Sequence, residues 1–195
     1  MHGLINRALQ CFLRDTYGPA MWDDIMQRAD LGYSSFESML TYEREDTQVV
    51  LDVAMDKLGK TREDLLEDLG TYLVSHENTQ ALRRLLRFGG DDFLAFLHSL
   101  DDLPGRARLA VPDLKLPTVE LREEGDATFS IRCGPDIPGF SRVMMGVLRA
   151  MADDYGALAF LDLAEEGEEG GVVSVILLDE AFAEGRSFEL ARKAG

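Results

Sequence analysis

The sequence predicts an α+β domain in which helices come first and an antiparallel sheet follows. Up to about residue 103, apolar residues recur at three- and four-residue spacing, which is typical of amphipathic helices. After Pro104, prolines and short apolar runs separated by acidic, Gly-containing turns predict β-hairpins. We therefore expect one domain over 1–195. Its helical subdomain should span about 1–60 and pack on an α/β subdomain of about 61–195, with a cleft between them.

The N-terminal half contains clear helix boundaries. Thr61 is a good N-cap with Asp64 three residues later, and Gly59 should end the helix before it. Asp91 or Asp92 should cap the last helix of this half after a Gly-Gly break. The helices are predicted at about 4–17, 20–28, 49–58, 62–75, 78–87 and 92–103.

The C-terminal half should contain two hairpins with a helix between them. The predicted strands are Val119–Arg122, Phe129–Cys133, Leu158–Leu163 and Val172–Leu178, and the predicted helix is Phe140–Tyr155. Asp153 and Asp154, near the end of that helix, are expected to face solvent. The tail, 182–195, is expected to add a short polar helix or strand.

Composition excludes several classes of function. The net charge of −16 disfavours nucleic acid and anionic membranes, which require clustered Lys and Arg. No apolar run approaches the ~18 residues of a membrane span, and the N-terminus does not resemble a signal peptide. Cys11 and Cys133 lack metal-ligand spacing, so we expect both to be reduced in a cytoplasmic protein.

A series of short motifs occurs in a recognisable order. They are Met1-x-Gly3-Leu-Ile-Asn6, Tyr17-Gly18-Pro19-x-x-Trp22, Leu69-Gly70, Phe88-Gly89-Gly90, Leu100-Asp101, Pro112 with Pro117, and Gly146 in an apolar helix. Together they resemble the H-NOX family, the haem–nitric oxide/oxygen binding domains, over nearly the whole chain. The resemblance implies a haem cleft and a role in nitric oxide sensing and signal transduction, without enzyme activity of the domain itself.

The stretch Thr128-x-Ser130-x-Arg132 is similar to the family's Tyr-x-Ser-x-Arg motif, which binds the haem propionates. Alternate residues of a strand point to the same side, so these three side chains should share one face. Arg132 offers a bidentate fork for a carboxylate and Ser130 a hydroxyl donor. The alternative interpretation is an ordinary exposed sheet face with polar residues.

The resemblance also implies an apolar slot for the porphyrin. Ile5, Leu9, Val143 and Val147 would form its distal wall, and Pro117 would press on the porphyrin. Val143 stands where oxygen-binding members carry a tyrosine that hydrogen-bonds O₂. Valine cannot donate, so this pocket would favour nitric oxide over O₂. Plain core packing is the alternative for each of these residues.

The chain departs from the family at the iron ligand. In H-NOX proteins the helix reads Leu-Asp-x-x-His, and that His is the proximal ligand; here Leu100-Asp101 leads to Pro104. Proline has no donor atom for iron, and it interrupts helical hydrogen bonding. We expect Leu103 to leave helical geometry and the helix to end or kink at Pro104.

The three histidines offer no clear replacement. His98 lies six residues before Pro104, so it should face about 120° away around the helix. His76 is typical of a helix C-terminal cap. His2 could approach iron from the distal side, but a chain terminus is a poor place for a ligand.

Two functional hypotheses follow. In the first, a haem-based nitric oxide sensor regulates a signalling partner in trans, either a histidine kinase or a cyclic-nucleotide or cyclic-di-nucleotide enzyme. In the second, the chain is a regulatory or binding module that keeps the cleft without ligating haem iron, because Pro104 replaces the proximal His. Its ligand would be a tetrapyrrole held by propionates and packing, or another flat apolar carboxylate. An enzyme is disfavoured, since no phosphate loop, nucleophile elbow or metal-ligand cluster is present in the sequence.

Overall fold

The computed structural model describes residues 1–188, apart from the side chains of Glu165 and Glu166. It confirms the α+β prediction, because helices fill the N-terminal part and a four-stranded antiparallel sheet follows. Residues 182–188 form no regular element, and the rest of the predicted tail lies outside the described residues. Among residues 1–188, no helix is long and apolar enough to cross a membrane.

The helices match most of the predicted boundaries. They are α1 (Gly3–Tyr17), α2 (Pro19–Ala29), α3 (Arg44–Leu58), α4 (Arg62–Ser75), α5 (Gln80–Arg87), α6 (Phe93–His98), α7 (Leu103–Ala110) and α8 (Phe140–Tyr155). The predicted caps account for this agreement. Thr61 Oγ1 accepts the N–H of Asp64 at 3.1 Å, and Gly59 ends α3 with φ 62°.

The region around Pro104 differs from the prediction. The helix that starts after the Asp92 cap ends at His98, and a 3₁₀ turn over Leu100–Asp102 leads into α7. Pro104 therefore lies in the first turn of a new helix, where no backbone N–H is needed. The helix is interrupted, but at 99–102 and not at Pro104, so the expected position of its end is wrong. The expectation that Leu103 leaves helical geometry is wrong, since it has φ −56° and ψ −46°.

The sheet has the strand order β1-β2-β4-β3. Its strands are β1 (Val119–Gly125), β2 (Thr128–Cys133), β3 (Leu158–Gly167) and β4 (Gly170–Asp179), and each neighbouring pair is antiparallel. Both predicted hairpins are present, and β1, β3 and β4 extend further than the sequence indicated. The second hairpin turns at Glu168 and Glu169, so the acidic tip reaches beyond the core.

Two apolar clusters form the interior. One is built from α1 to α4, and the other joins α5 to α8 with the sheet. Helix α4 contributes to both, with Leu65 in the first cluster and Val74 in the second. A subdomain boundary near residue 60 stays a prediction, because α4 binds the two halves together.

Helices α4 and α8 cross at a pair of glycines. A Cβ on Gly70 would lie 2.0 Å from the Val143 carbonyl oxygen, and a Cβ on Gly146 would lie 2.0 Å from that of Glu67. Both distances are far shorter than van der Waals contact, so only glycine allows this approach. The crossing brings one face of α4 and one face of α8 to the same interior space.

Asp154 corrects the prediction of a solvated helix end. Its carboxylate is fully buried, 2.8 Å from Arg83 Nε and 3.5 Å from Arg87 Nη1, whereas Asp153 is exposed as expected. The reason is tertiary, because α5 presents arginines one turn apart toward the end of α8. Neither helix alone indicates this pairing.

Candidate functional site

A cavity of about 280 Å³ lies between α1, α4, α5, α7 and α8. Its side chains come from residues that recur at helical spacing on the inward faces of these helices. The lining consists of Leu4, Ile5, Ala8, Leu69, Leu73, Leu82, Leu85, Leu86, Leu103, Ala107, Ala110, Val111, Leu114, Leu116, Ile137, Phe140, Val143, Met144 and Val147.

This lining is chemically uniform. Among the described residues that line the cavity, the Met144 thioether sulfur is the only side-chain atom that is not carbon or hydrogen. No lining side chain donates a hydrogen bond or carries a charge, and a thioether accepts hydrogen bonds only weakly. The cavity can therefore hold apolar groups by packing, but it has nothing to neutralise a buried charge.

Arg106 helps to hold α7 in place beside the cavity. Its guanidinium donates to the Ser99 carbonyl at 2.9 Å and to the Leu85 carbonyl at 3.3 Å. Burial of the guanidinium lowers the pKa of Arg106, partly offset by Asp102. This side chain ties α7 to α5 and to the end of α6, so Leu103 and Ala107 can line the cavity.

The predicted distal wall is partly in place. Ile5, Val143 and Val147 line the cavity, which brings α1 and α8 together as expected. Leu9 instead packs in the α1–α4 cluster, and Pro117 is buried outside the lining. Leu9 lies one helical turn beyond Ile5, about 6 Å further along α1, where the α1–α4 cluster surrounds it.

The predicted propionate residues do not reach the cavity. Thr128, Ser130 and Arg132 share one face of β2 as expected, but the alternate residues of the strand are the ones that fill the core. Ser130 Oγ donates to Glu124 Oε1 at 2.7 Å. Arg132 is exposed and borders a shallow depression beside Gly167–Val172. The structure thus places Arg132 outside the cavity lining, and its role in binding propionates stays a prediction.

The segment after β2 supplies a different side chain to the cavity. The chain turns away from the sheet at Gly134, and Ile137 is the residue of this connection that lines the space. An apolar side chain, and not Arg132, is thus what the chain after β2 contributes to the cavity lining. The strand pattern could not show this, because it fixes only which residues share a face.

Pro104 also lies outside the lining, although it follows Leu103 on α7. Pro104 is half-buried and lies on a side of that helix turn other than the one that lines the cavity. The helix presents Leu103, Ala107 and Ala110 to the cavity at four- and three-residue steps. None of these carries an atom that binds iron.

The three histidines are engaged elsewhere. His2 Nδ1 caps α1 by accepting the N–H of Leu4 at 3.1 Å, and His76 Nδ1 accepts the N–H of Asn78 at 3.2 Å. His98 Nε2 lies 3.5 Å from Glu123 Oε1 near the surface. None of them lines the cavity. Within residues 1–188, no group of three or more His, Cys, Asp or Glu could hold a metal ion.

The family assignment follows from comparison with known proteins. A family model described as Haem-NO-binding matches residues 2–158. This chain belongs to the Haem-NO-binding family. The match includes α1, the helices around the cavity, and the sheet as far as the start of β3.

Curated relatives of this family member are soluble guanylate cyclases. Soluble guanylate cyclase 89Db of Drosophila melanogaster is 21% identical over 183 residues, covering 92% of this chain and 27% of that protein. Guanylate cyclase soluble subunit beta-2 of Rattus norvegicus is 24% identical over 140 residues, covering 68% of this chain and 20% of that protein. The chain therefore spans about a quarter of the length of these relatives.

Solved H-NOX structures share the fold. An H-NOX protein from S. oneidensis in the Fe(II)NO ligation state has a TM-score of 0.77 at 15% identity, covering 92% of this chain and all of that one (100%). The Fe(II) unliganded H-NOX protein from K. algicida has a TM-score of 0.76 at 17% identity, covering 94% of this chain and 100% of that one. The H-NOX fold predicted from the motifs is confirmed.

The residues around the cavity do not fit haem. Haem requires an axial ligand for iron and partners for two propionates. The lining offers no imidazole, thiolate or phenol, and no cation or hydroxyl that could pair with a carboxylate. Met144 alone supplies a sulfur, and the volume of about 280 Å³ lies just below the ~300–1,000 Å³ of small-molecule pockets.

Proposed function

We propose that this chain is a regulatory module of the H-NOX fold that works without ligating haem iron. The observation that carries the proposal is the lining of the cavity, which is hydrocarbon except for the Met144 sulfur. A binding space at the centre of five helices can change their packing when it fills. The module would thus report occupancy of the cavity to a signalling partner.

The partner class comes from the relatives. Since those proteins are named soluble guanylate cyclases and the matched region is only 27% and 20% of their length, we propose that the module regulates an enzyme of cyclic-nucleotide signalling. The same module could regulate a cyclic-di-nucleotide enzyme or a histidine kinase in the same way. The net charge of −16 favours a basic docking face on that partner.

A haem-based nitric oxide sensor is the second candidate. The family description favours it, and Val143 in the cavity wall could not hydrogen-bond O₂, so a haem held there would favour nitric oxide. This candidate requires an iron ligand from outside the lining, or Met144. It also requires that the haem propionates extend into solvent, because Arg132 does not line the cavity.

Haemin titration separates the two candidates. The purified protein, Pro104→His and the control Pro104→Ala are titrated with haemin and followed by the Soret band. We expect no stoichiometric uptake by the unmodified protein or by Pro104→Ala, because neither has a nitrogen ligand at the cavity. Pro104→His should acquire an imidazole-ligated spectrum if rotation of the first turn of α7 lets the ring reach iron.

Saturation of the unmodified protein at one haemin per chain, with an axial-ligand spectrum, would refute the haem-independent proposal. A His98→Ala variant measured in parallel reports whether a surface histidine causes such a signal. Loss of the signal in that variant would assign it to surface binding near Glu123.

A further inference from the structure

We infer that the cavity binds the hydrocarbon part of a neutral ligand, an unbranched alkyl chain of about ten to twelve carbon atoms. This inference deepens the proposed function and rests on it. The argument has three parts: the chemistry of the wall, its volume, and the position of its open end.

The chemistry of the wall excludes a buried charge. A carboxylate inside the cavity would lose its hydration and find no cation, hydroxyl or amide side chain among the described lining residues. A hydrocarbon meets only carbon and the Met144 sulfur, and both pack well against methylene groups. The wall therefore selects the neutral ligand over its charged counterpart.

The volume sets the length of the chain. An apolar cavity of ~150 Å³ in another protein stays dry and holds benzene, which has six carbon atoms. At about 280 Å³ this cavity has nearly twice that space. The same packing density gives about ten to twelve carbon atoms. A much longer chain would have to leave part of its length in solvent.

Burial along the wall gives the direction of entry. Leu86, Met144 and Val147 are buried, so they form the closed end. Ala110 at the end of α7 is exposed, and Ile5 on α1 is half-buried, so they lie toward solvent. An alkyl chain would enter between α1 and the end of α7. Because ten carbon atoms fall within the length that the cavity holds, the head group would lie inside the apolar mouth, where the described lining side chains offer a charge no partner.

The experiment compares 1-decanol with decanoate at pH 8, by calorimetric titration into the intact protein. These probes share a ten-carbon skeleton and differ in charge. We expect saturable one-to-one binding of 1-decanol, and binding of decanoate weaker by at least about tenfold, because its charge has no partner in the wall. Equal affinities for the two probes would overturn the neutral-ligand inference.

Two cavity variants test the location. Ala8→Phe fills the cavity from α1, and Ala110→Phe narrows its mouth from an exposed position that tolerates a larger side chain. We expect each to weaken 1-decanol binding by at least about tenfold, since the ring occupies the space of several methylenes. The control Ala81→Phe lies on the exposed side of α5, outside the lining, and should leave binding unchanged.

The outcomes also separate this inference from the proposed function. If haemin binds stoichiometrically and 1-decanol competes with it, haem independence fails while the hydrocarbon site stands. If neither 1-decanol nor haemin binds, the hydrocarbon inference is overturned while haem independence survives. Binding of 1-decanol that persists in both Ala8→Phe and Ala110→Phe, with native circular dichroism, would place the site elsewhere and refute the inference.

Discussion

Asp154→Ala should destabilise the fold through the arginines of α5. The carboxylate is fully buried, and Arg83 approaches it through Nε at 2.8 Å while Arg87 lies 3.5 Å away. Asp154 sits near the C-terminus of α8, where the helix dipole disfavours a negative charge. The two guanidinium groups are what makes this position tolerable for an aspartate.

The size of the loss in unfolding free energy follows from the burial of the ion pair. Removing one partner of a buried ion pair costs about 3–5 kcal/mol, because the other partner is left without compensation. The side chains of Arg83 and Arg87 are 11% and 13% exposed, so water relieves part of this cost and favours the lower end. A loss of about 3 kcal/mol in a chain of this size lowers Tm by about 6–12 °C.

The arginines also hold the following segment. Arg83 Nη2 donates to the Ser187 carbonyl at 3.2 Å, and the Arg87 guanidinium carbon lies 4.9 Å from the centroid of the Phe188 ring. The backbone N–H of Arg186 donates to the Asp154 carbonyl at 2.9 Å. Protection of amides 183–188 from hydrogen exchange should therefore fall in Asp154→Ala before the rest of the domain unfolds.

Urea unfolding followed by circular dichroism measures the change in free energy. Asp153→Ala is the matched control, since that neighbouring carboxylate is exposed, and it should stay within about 0.5 kcal/mol of the unmodified protein. Equal unfolding midpoints for Asp153→Ala and Asp154→Ala, with unchanged m-values, would show that the buried pairing contributes nothing to stability.

Two further predictions concern the core. Gly146→Ala should cost about 1–3 kcal/mol or more, because its Cβ would lie 2.0 Å from the Glu67 carbonyl and push α4 and α8 apart. Gly105→Ala on α7 is the control, because its added Cβ meets no atom within 4 Å and should not destabilise the helix; similar losses in both variants would refute the steric argument. Burial raises the pKa of the Cys133 thiol to about 12, so in native protein at pH 8 a thiol reagent should modify Cys11 and spare Cys133. The thiol of an unfolded chain titrates near pH ~8.5, so the contribution of Cys133 to stability is present below that pH and is lost as the pH rises toward 12. The free energy of unfolding of Cys133→Ala should therefore fall less steeply with rising pH than that of the unmodified protein, as measured by alkaline unfolding.

The sequence predicted the elements well where local chemistry decides them. Thr61 and Asp92 cap their helices as expected, because a side-chain acceptor at the N-cap satisfies an N–H that the helix itself cannot. The region near Pro104 was harder. Proline is unfavourable inside a helix but favourable in the first turn, so its presence shows that a helix is interrupted without showing whether one ends or begins.

The site was less predictable because it depends on how distant elements meet. Alternation along β2 correctly placed Ser130 and Arg132 on one face, but it could not say which face the core would cover. The contribution of α5 was missed for a similar reason. Its leucines, such as Leu82 and Leu86, recur at a four-residue step, which marks an apolar helix face without showing that the face borders a cavity.

The apolar character of the cavity arises from several elements together, and this limits what any single substitution can restore. Pro104 accounts only for a missing iron ligand, whereas Ile137 lines the cavity after β2, and Arg132 is exposed outside the lining. A histidine at position 104 would add one coordinate bond and leave both propionates without partners, so haem would remain weakly held. A lining that lacks polar side chains on α1, α4, α5 and α7 alike is therefore better explained by a hydrocarbon ligand than by the loss of one residue from a haem site.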